Sequence, residues 1–142
     1  MKELLLIKRA MRWVLAIFFI LAGINHFMNP SIYLGMMPPW IPYPDLLHRI
    51  AGGAEILGGV GLLIKPVRVL ASWGLILLLV AVFPANVHAA IMGSIPGLDV
   101  SPTILWVRLP FQAVFVFLVW WVGWKSQAER ARELAMASKT QW

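Results

Sequence analysis

The chain has 142 residues, of which 61% are hydrophobic and only 13% are charged. This composition, with a mean hydropathy of +0.80, excludes an ordinary soluble domain and indicates an integral membrane protein. The formal net charge of +6 does not indicate nucleic-acid binding, because the basic residues lie at the ends of apolar segments. The absence of cysteine excludes disulfide, thiolate and iron–sulfur chemistry.

Four apolar segments predict an all-α fold, in which one domain is a bundle of four transmembrane helices at about residues 10–28, 46–64, 67–92 and 103–124. Each segment approaches or exceeds the ~20 residues that cross ~30 Å of hydrocarbon. None shows the two-residue alternation of a membrane barrel strand. The first segment lacks a small-residue cleavage site, so we expect it to remain as a span.

The connection between the first two segments, residues 29–44, has five prolines among its sixteen residues. Proline stiffens the chain, and Tyr33, Trp40 and Tyr43 are residue types typical of the headgroup zone. We therefore expect a semi-rigid, Pro-rich flap on the outer surface. It is either a simple interfacial anchor or a lid over a site.

The second segment carries a carboxylate, Glu55, about 14 Å below its outer boundary. His48, Gly52, Glu55 and Gly59 form one stripe of the helix, and the glycines allow a neighbouring backbone to approach that face. A charged group at this depth costs about 2.5–3.5 kcal/mol, so it usually faces protein partners. Glu55 is therefore expected to point into the bundle.

The third and fourth segments also carry polar residues at membrane depth. Asn86 and His88 are ~200° apart on an ideal helix, so both face the bundle axis only if Pro84 distorts that turn. We expect Asn86 to face the interior and leave the direction of His88 open. In the fourth segment, Arg108 and Gln112 share one face at i and i+4.

Basic residues predict the orientation of the bundle. Ten lie on one side of the four spans, and the opposite connections contain none; the ten are Lys2, Lys8, Arg9, Arg12, Lys65, Arg68, Lys125, Arg130, Arg132 and Lys139. The positive-inside rule therefore predicts a multi-pass protein of the plasma (inner) membrane with both termini in the cytoplasm. The tail, residues 125–142, is expected to extend the last helix, with its charges on a solvated face.

Seven polar residues in the outer half of the bundle are the candidate ligand-binding residues: Asn25, His26, Glu55, Asn86, His88, Arg108 and Gln112. Helical side chains lean toward their own N-terminus, so those of the second and fourth spans converge with those of the first and third. The alternative is a closed hydrogen-bonded network that only holds the helices in register. His26 and His88 lack a metal-motif spacing, so we expect no metal site and disfavour haem.

The same segments carry a family resemblance. They are Ala-Gly-Ile-Asn-His-Phe at 22–27 with Pro30, the glycine-rich run at 52–63, Phe-Pro-Ala-Asn at 83–86 and Arg-Leu-Pro-Phe-Gln at 108–112. In order and spacing they resemble the DoxX-like family of small four-helix membrane proteins. The resemblance implies a four-helix bundle. Some members are associated with quinone-linked sulfur oxidation or redox complexes, and related eukaryotic proteins act as assembly chaperones for membrane receptors. The absence of cysteine departs from the thiol-handling relatives, and no catalytic set carries over.

The leading hypothesis is that the chain binds a lipophilic or amphipathic small molecule, a quinone or a lipid-like compound, in an outer-half pocket, as part of a redox-linked membrane unit. Glu55 and Arg108 would balance charge, Gln112 and Asn86 would supply hydrogen bonds, and His26 would relay a proton. The alternative is a non-catalytic accessory or assembly subunit that binds a membrane protein partner or a second copy. A transporter is disfavoured, because four helices form a small path. The sequence does not decide whether a reaction is catalysed.

Overall fold

The computed structural model describes residues 2–124 and 127–139, and these residues form six helices. They are α1 (Lys2–Met28), α2 (Pro30–Met36), α3 (Pro44–Leu63), α4 (Arg68–Met92), α5 (Pro102–Gly123) and α6 (Gln127–Lys139). Four of them occupy the four apolar segments of the sequence. The prediction of an all-α fold is confirmed.

The four long helices pack in a ring in the order α1, α3, α4 and α5. The contact between α1 and α3 is the most extensive, whereas the contact that closes the ring, between α1 and α5, is the smallest of the four. Successive long helices are antiparallel, as in α1 and α3, where Gly59 packs at Ala16 and Gly52 packs at His26. The end of the bundle with α2 is called the α2 end below, and the opposite end, with α6, is called the α6 end.

Glycines bring α1 and α3 into backbone contact, as the stripe on the second segment predicts. A Cβ atom on Gly59 would lie 2.8 Å from the carbonyl oxygen of Ala16, and one on Gly52 would lie 2.7 Å from the Cβ of His26. The first segment contributes Gly23, where a Cβ would lie 2.5 Å from the carbonyl oxygen of Gly52. These contacts seat the polar face of α3 directly against α1.

The apolar core has two layers. The larger layer consists of Leu15, Ala16, Phe19, Leu62, Leu75, Val119 and Val122. The smaller layer is near the α2 end and consists of Met36, Ala89, Ala90, Ile95 and Leu105. Space remains between the two layers, and the candidate site lies there.

Three of the described helices are long and apolar enough to cross a membrane: α3, α4 and α5. This confirms a membrane protein with several candidate spans. The expected fourth span falls on α1, and its role as a span stays a prediction, as does the orientation of the bundle. Lys125, Ser126 and residues 140–142 of the predicted tail lie outside the described residues.

The connection at residues 29–44 differs from a flap without regular structure, because it contains α2. Pro30 begins this helix at a position where a missing N–H costs nothing. A Cβ on Gly35 would lie 2.9 Å from the Pro96 ring, so α2 packs on the α4–α5 connection. Trp40 and Tyr43 are exposed, as expected for interfacial residues. The segment is folded over the bundle end.

Two basic residues predicted simply to flank the first span are buried at the α6 end. Lys8 is 5% exposed and Arg12 is 8% exposed. Arg12 donates to the Val122 carbonyl through Nε at 3.3 Å and Nη2 at 3.2 Å, and Lys8 donates to the Trp124 carbonyl. They therefore supply donors to carbonyls that the end of α5 leaves unbonded.

The expectation that the tail continues the last helix with solvated charges is wrong for the helix and for Glu129, whereas Arg130 and Lys139 are exposed as expected. The helix α5 ends at Gly123, and Trp124 has an extended backbone with φ −78° and ψ 137°, so α6 is a separate helix. Glu129 of α6 is ion-paired with Lys8 at 3.5 Å and with Arg12 at 3.4 Å. Lys8 and Arg12 of α1 donate to carbonyls at the end of α5 in place of a further helical turn. Because these two cations are buried, they need a carboxylate partner, which Glu129 supplies.

Candidate functional site

A cavity of about 330 Å³ lies inside the helix ring, toward the α2 end. Its polar lining residues are His26, Tyr33, Glu55, Asn86, Arg108 and Gln112, and its apolar lining includes Phe18, Phe19, Phe111, Phe115, Met36 and Met37. Five of the seven residues proposed from the sequence thus line one space. The predicted convergence of the four helices is confirmed for those five.

The wall formed by α4 and α5 is a chain of side-chain hydrogen bonds. Arg108 Nη2 donates to Asn86 Oδ1 at 3.2 Å, and Asn86 Nδ2 donates to Gln112 Oε1 at 2.9 Å. Gln112 Nε2 then donates to the carbonyl oxygen of Leu79. That carbonyl belongs to α4 five residues before Pro84, so Gln112 joins α5 to α4 beside the proline.

The opposite wall, formed by α1 and α3, contains an imidazole and a carboxylate. His26 Nε2 lies 3.6 Å from Glu55 Oε2, and the two side chains are 7% and 14% exposed. Two buried atoms here have no hydrogen-bond partner among the described residues, Glu55 Oε2 and His26 Nδ1. Unbonded buried polar atoms cost about 1–3 kcal/mol each, so this wall is primed to bind a polar group.

The helix α2 covers the cavity. The Tyr33 ring stacks on the His26 ring with a centroid separation of 3.5 Å and an angle of 22°. The Tyr33 hydroxyl accepts a hydrogen bond of 2.7 Å from Asn25 Nδ2. Burial raises the pKa of this hydroxyl above its ordinary value, so Tyr33 stays neutral over a wide pH range. The position of Tyr33 at headgroup level stays a prediction, and its contact with His26 is a finding that the sequence interpretation did not include.

The remaining two candidates lie beside the cavity and support its cover. Asn25 accepts a 2.6 Å hydrogen bond from Asn29 while it donates to Tyr33. His88 Nδ1 lies 3.1 Å from the carbonyl oxygen of Met36, at the end of α2. Asn86 and His88 point in different directions from α4, as their angular separation on the helix predicts. Asn86 lines the cavity, whereas His88 contacts the end of α2.

The expected charge balance between Glu55 and Arg108 is not a direct contact. Among the described residues, Glu55 Oε2 lies 3.6 Å from His26 Nε2, whereas Arg108 donates to Asn86. The two charged groups face the cavity from opposite walls. A molecule placed between them would meet a basic donor on one side and an acid–base pair on the other.

The apolar lining was missed by the sequence interpretation. Phe18 of α1 stacks on Phe115 of α5 with ring centroids 4.8 Å apart at 26°, and Phe19 meets the edge of Phe115 at 6.3 Å. Phenylalanine is frequent throughout the apolar segments, so its presence carries no positional signal. Met36 and Met37 were missed for a different reason, because α2 is too short to show helical periodicity.

A family model described as "Domain of unknown function (DUF8561)" matches residues 15–123, most of the chain. The chain belongs to this family. No curated protein matches the chain, and no solved structure matches it. The DUF8561 region contains every residue that lines the cavity, whereas Lys8, Arg12 and α6 lie outside it.

Proposed function

We propose that the cavity binds a lipophilic or amphipathic small molecule with a compact polar head, a quinone or a lipid-like compound. The observation that carries this proposal is the pairing of an aromatic lining with unsatisfied polar atoms on the α1–α3 wall. Ligand sites are typically apolar spaces of ~300–1,000 Å³ with a few convergent polar groups. The cavity, at about 330 Å³, is in this range.

The proposed setting is a plasma membrane crossed four times, with both termini in the cytoplasm. Residues 13–28 of α1 contain no Lys, Arg, Asp or Glu, which supports α1 as the fourth span. Lys65 and Arg68 are at the α6 end, with Lys8 and Arg12, whereas the connections at the α2 end contain no basic residue. The α2 end is then the outer end, and the cavity lies in the outer leaflet.

The seam between α1 and α5 is the proposed route of access. Phe18, Arg108 and Phe111 line the cavity and are also exposed on the bundle surface. In a bilayer this surface faces lipid, and α1 and α5 have the smallest contact in the ring. A compound dissolved in the outer leaflet would pass between the phenylalanine rings without crossing water.

A quinone is the preferred ligand within this class. Its two carbonyl oxygens lie on opposite sides of one ring, and the cavity offers Arg108 on one wall and His26 on the other. The resemblance to DoxX-like proteins extends the proposal to a redox-linked membrane subunit. His26, beside Glu55, would exchange the proton that accompanies quinone chemistry.

Equilibrium binding of ubiquinone-1 to the protein in lipid nanodiscs, measured by titration calorimetry, tests the proposal. Arg108→Gln should weaken ubiquinone-1 binding about tenfold, which corresponds to about 1.4 kcal/mol and the loss of one hydrogen bond to a charged group. Glu55→Gln should weaken binding of the reduced form, ubiquinol-1, by a similar factor, because a quinol hydroxyl donates to the carboxylate whereas quinone carbonyls only accept. The exposed residues Asp99 and Arg49 provide matched controls in Asp99→Asn and Arg49→Gln. Equal affinities for the cavity variants and the controls would reject the proposed site.

An accessory subunit without a ligand is the second candidate. The hydrogen-bond chain from Arg108 through Asn86 to Gln112 favours it, because every member is already bonded within the protein and joins α4 to α5. Crosslinking in native membranes followed by purification separates the two proposals. A stoichiometric partner protein, together with no ubiquinone-1 binding, would favour the accessory role.

A further inference from the structure

His48 is a buried ionisable residue that the cavity does not use. It is the fifth residue of α3, near the α2 end, and it is 2% exposed. Its Nδ1 has no hydrogen-bond partner among the described residues. An apolar side chain would fill this position without the cost of an unbonded nitrogen. An imidazole here therefore calls for an explanation other than packing.

The His48 ring lies in line with the acid–base pair of the α1–α3 wall. The rings of His48 and His26 are nearly parallel, at 12°, with centroids 6.2 Å apart. His26 Nε2 is in turn 3.6 Å from Glu55 Oε2. In the described part of the chain, each of the three side chains has one buried atom without a hydrogen-bond partner, namely His48 Nδ1, His26 Nδ1 and Glu55 Oε2.

The spacing along α3 explains why a residue of α1 belongs to this series. His48 and Glu55 are seven residues apart, or about 10 Å along a helix, which is too far for direct proton transfer. Gly52 lies between them, and the Cβ of His26 occupies the place that a side chain at Gly52 would need. The ring of His26 thus bridges the two α3 residues.

Other titratable and charged groups near this series are few. The helix α2 contributes Tyr33, which stacks on His26, and α5 contributes Arg108 on the opposite cavity wall. From α4, Asn86 lines the cavity and does not titrate, and the titratable His88 lies with its Nδ1 3.1 Å from the Met36 carbonyl oxygen. At the start of α3, Asp45 and Arg49 are exposed. The sequence of groups from the cavity to the α2 end is therefore Glu55, His26, His48.

We propose that Glu55, His26 and His48 form a proton pathway between the cavity and the solvent at the α2 end. A proton leaves a hydroxyl of the bound compound for Glu55, passes to His26 Nε2, leaves from His26 Nδ1 for His48 and ends on water. No electron moves in this step, and the reverse order delivers a proton to the compound. Histidine carries protons in this way because its two nitrogens can accept and release in turn.

The pathway deepens the proposed function and rests on it for the ligand. It restricts that ligand to compounds with an exchangeable proton on the polar head, such as a quinol or another phenolic amphiphile. A wholly aprotic lipid would have no use for the series. The pathway itself can be tested without any ligand.

The test measures how fast Glu55 is protonated after an acidic jump of the buffer around nanodisc-embedded protein. Time-resolved infrared spectroscopy follows the carboxyl C=O band of Glu55, which is assigned by its loss in Glu55→Gln. His48→Ala should slow the appearance of this band about tenfold or more, because the intermediate proton carrier is lost. Added imidazole should restore most of the rate, and Arg49→Ala, one residue along on the exposed face, should leave it unchanged.

A Glu55 rate unaffected by His48→Ala overturns the pathway. So does a slowed rate that imidazole does not restore in a variant with wild-type thermal stability, because His48 then acts only through structure. These outcomes are separate from ubiquinone-1 affinity. If Glu55→Gln binds ubiquinol-1 as tightly as the wild type, only the ligand site is rejected. If added imidazole does not restore the Glu55 protonation rate in His48→Ala, only the pathway is rejected.

Discussion

Replacement of Gly23 by alanine should separate α1 from α3. A Cβ atom on Gly23 would lie 2.5 Å from the carbonyl oxygen of Gly52, 2.7 Å from the Ile56 side chain and 3.0 Å from the Ile56 amide nitrogen. Ordinary van der Waals contact begins at 3.4 Å. Two of the three obstructing atoms belong to the backbone, so a side-chain rotation cannot relieve the contact and the helices must move apart.

The expected cost follows from this geometry. Overpacking a tight contact costs about 1–3 kcal/mol, and alanine recovers roughly 0.5–1 kcal/mol through its better helix propensity. The free energy of unfolding should therefore fall by about 0.5–2 kcal/mol. The His26–Glu55 separation should also grow, because Gly23 precedes His26 by one turn of α1.

The assay is reversible unfolding in mixed micelles of a mild detergent and sodium dodecyl sulfate, followed by circular dichroism. Gly53→Ala is the matched control, because it lies on the same helix pair and a Cβ there has no neighbour within 4 Å. The control should be neutral or slightly stabilised. If Gly23→Ala is at least as stable as Gly53→Ala, backbone contact between α1 and α3 is not what holds the site together.

Three further predictions address other parts of the bundle. Gln112→Leu removes the link between α4 and α5 and takes away the partner of the Asn86 Nδ2 donor and of the Leu79 carbonyl acceptor, so the free energy of unfolding in the same assay should fall by about 1–3 kcal/mol. Arg12→Met removes the donor to the Val122 carbonyl and a partner of α6, and should increase the proteolysis rate of α6 without loss of the bundle's helical signal. In Tyr43→Phe, the tyrosinate absorbance comes from Tyr33 alone, and its midpoint should lie above 10.0. Because the folded-state pKa of Tyr33 is raised, the stability due to Tyr33 is complete below pH 10.0 and is lost as the pH rises through the folded-state pKa. A tyrosinate titration midpoint at or below 10.0 would show that Tyr33 is not buried under α2.

The positions of the long helices were predictable because hydrophobic length is a strong signal in a membrane protein. The inward direction of Glu55 was also predictable, since Gly52 and Gly59 mark the face on which a second backbone can approach. The angle between Asn86 and His88 predicted that the two side chains face different directions, although it did not select which of them lines the cavity. These inferences depend on helical geometry alone, which holds whether or not the partner helix is known.

The partners of the polar groups were not predictable in the same way. The expected balance of Glu55 with Arg108 came from charge alone, and the structure pairs Glu55 with His26 instead. The glycine contact between α1 and α3 decides this, because it places His26 against Gly52, and residue spacing does not encode that contact. The contact of Tyr33 with His26 was missed because aromatic residues between spans commonly lie at the interface, and nothing in the sequence marks the fold of α2 over His26.

The contacts of the basic residues at the α6 end were also not predictable from the sequence. Lys8 and Arg12 fit the charge pattern that predicts topology, yet both are buried against the last turn of α5. A charge pattern reports which end of a helix is basic and does not report whether the cation is solvated. Its burial depends on the carboxylate of Glu129, more than a hundred residues away in the chain.

The central claim is that the space between the α1–α3 wall and the α4–α5 wall holds a ligand. A high-resolution structure of the protein in nanodiscs with ubiquinone-1 tests it most directly. We predict head-group density inside the ring, between Glu55 and Arg108 and beneath Tyr33. A head group found only on the lipid-facing surface, with the interior closed by the phenylalanine side chains, would contradict the account.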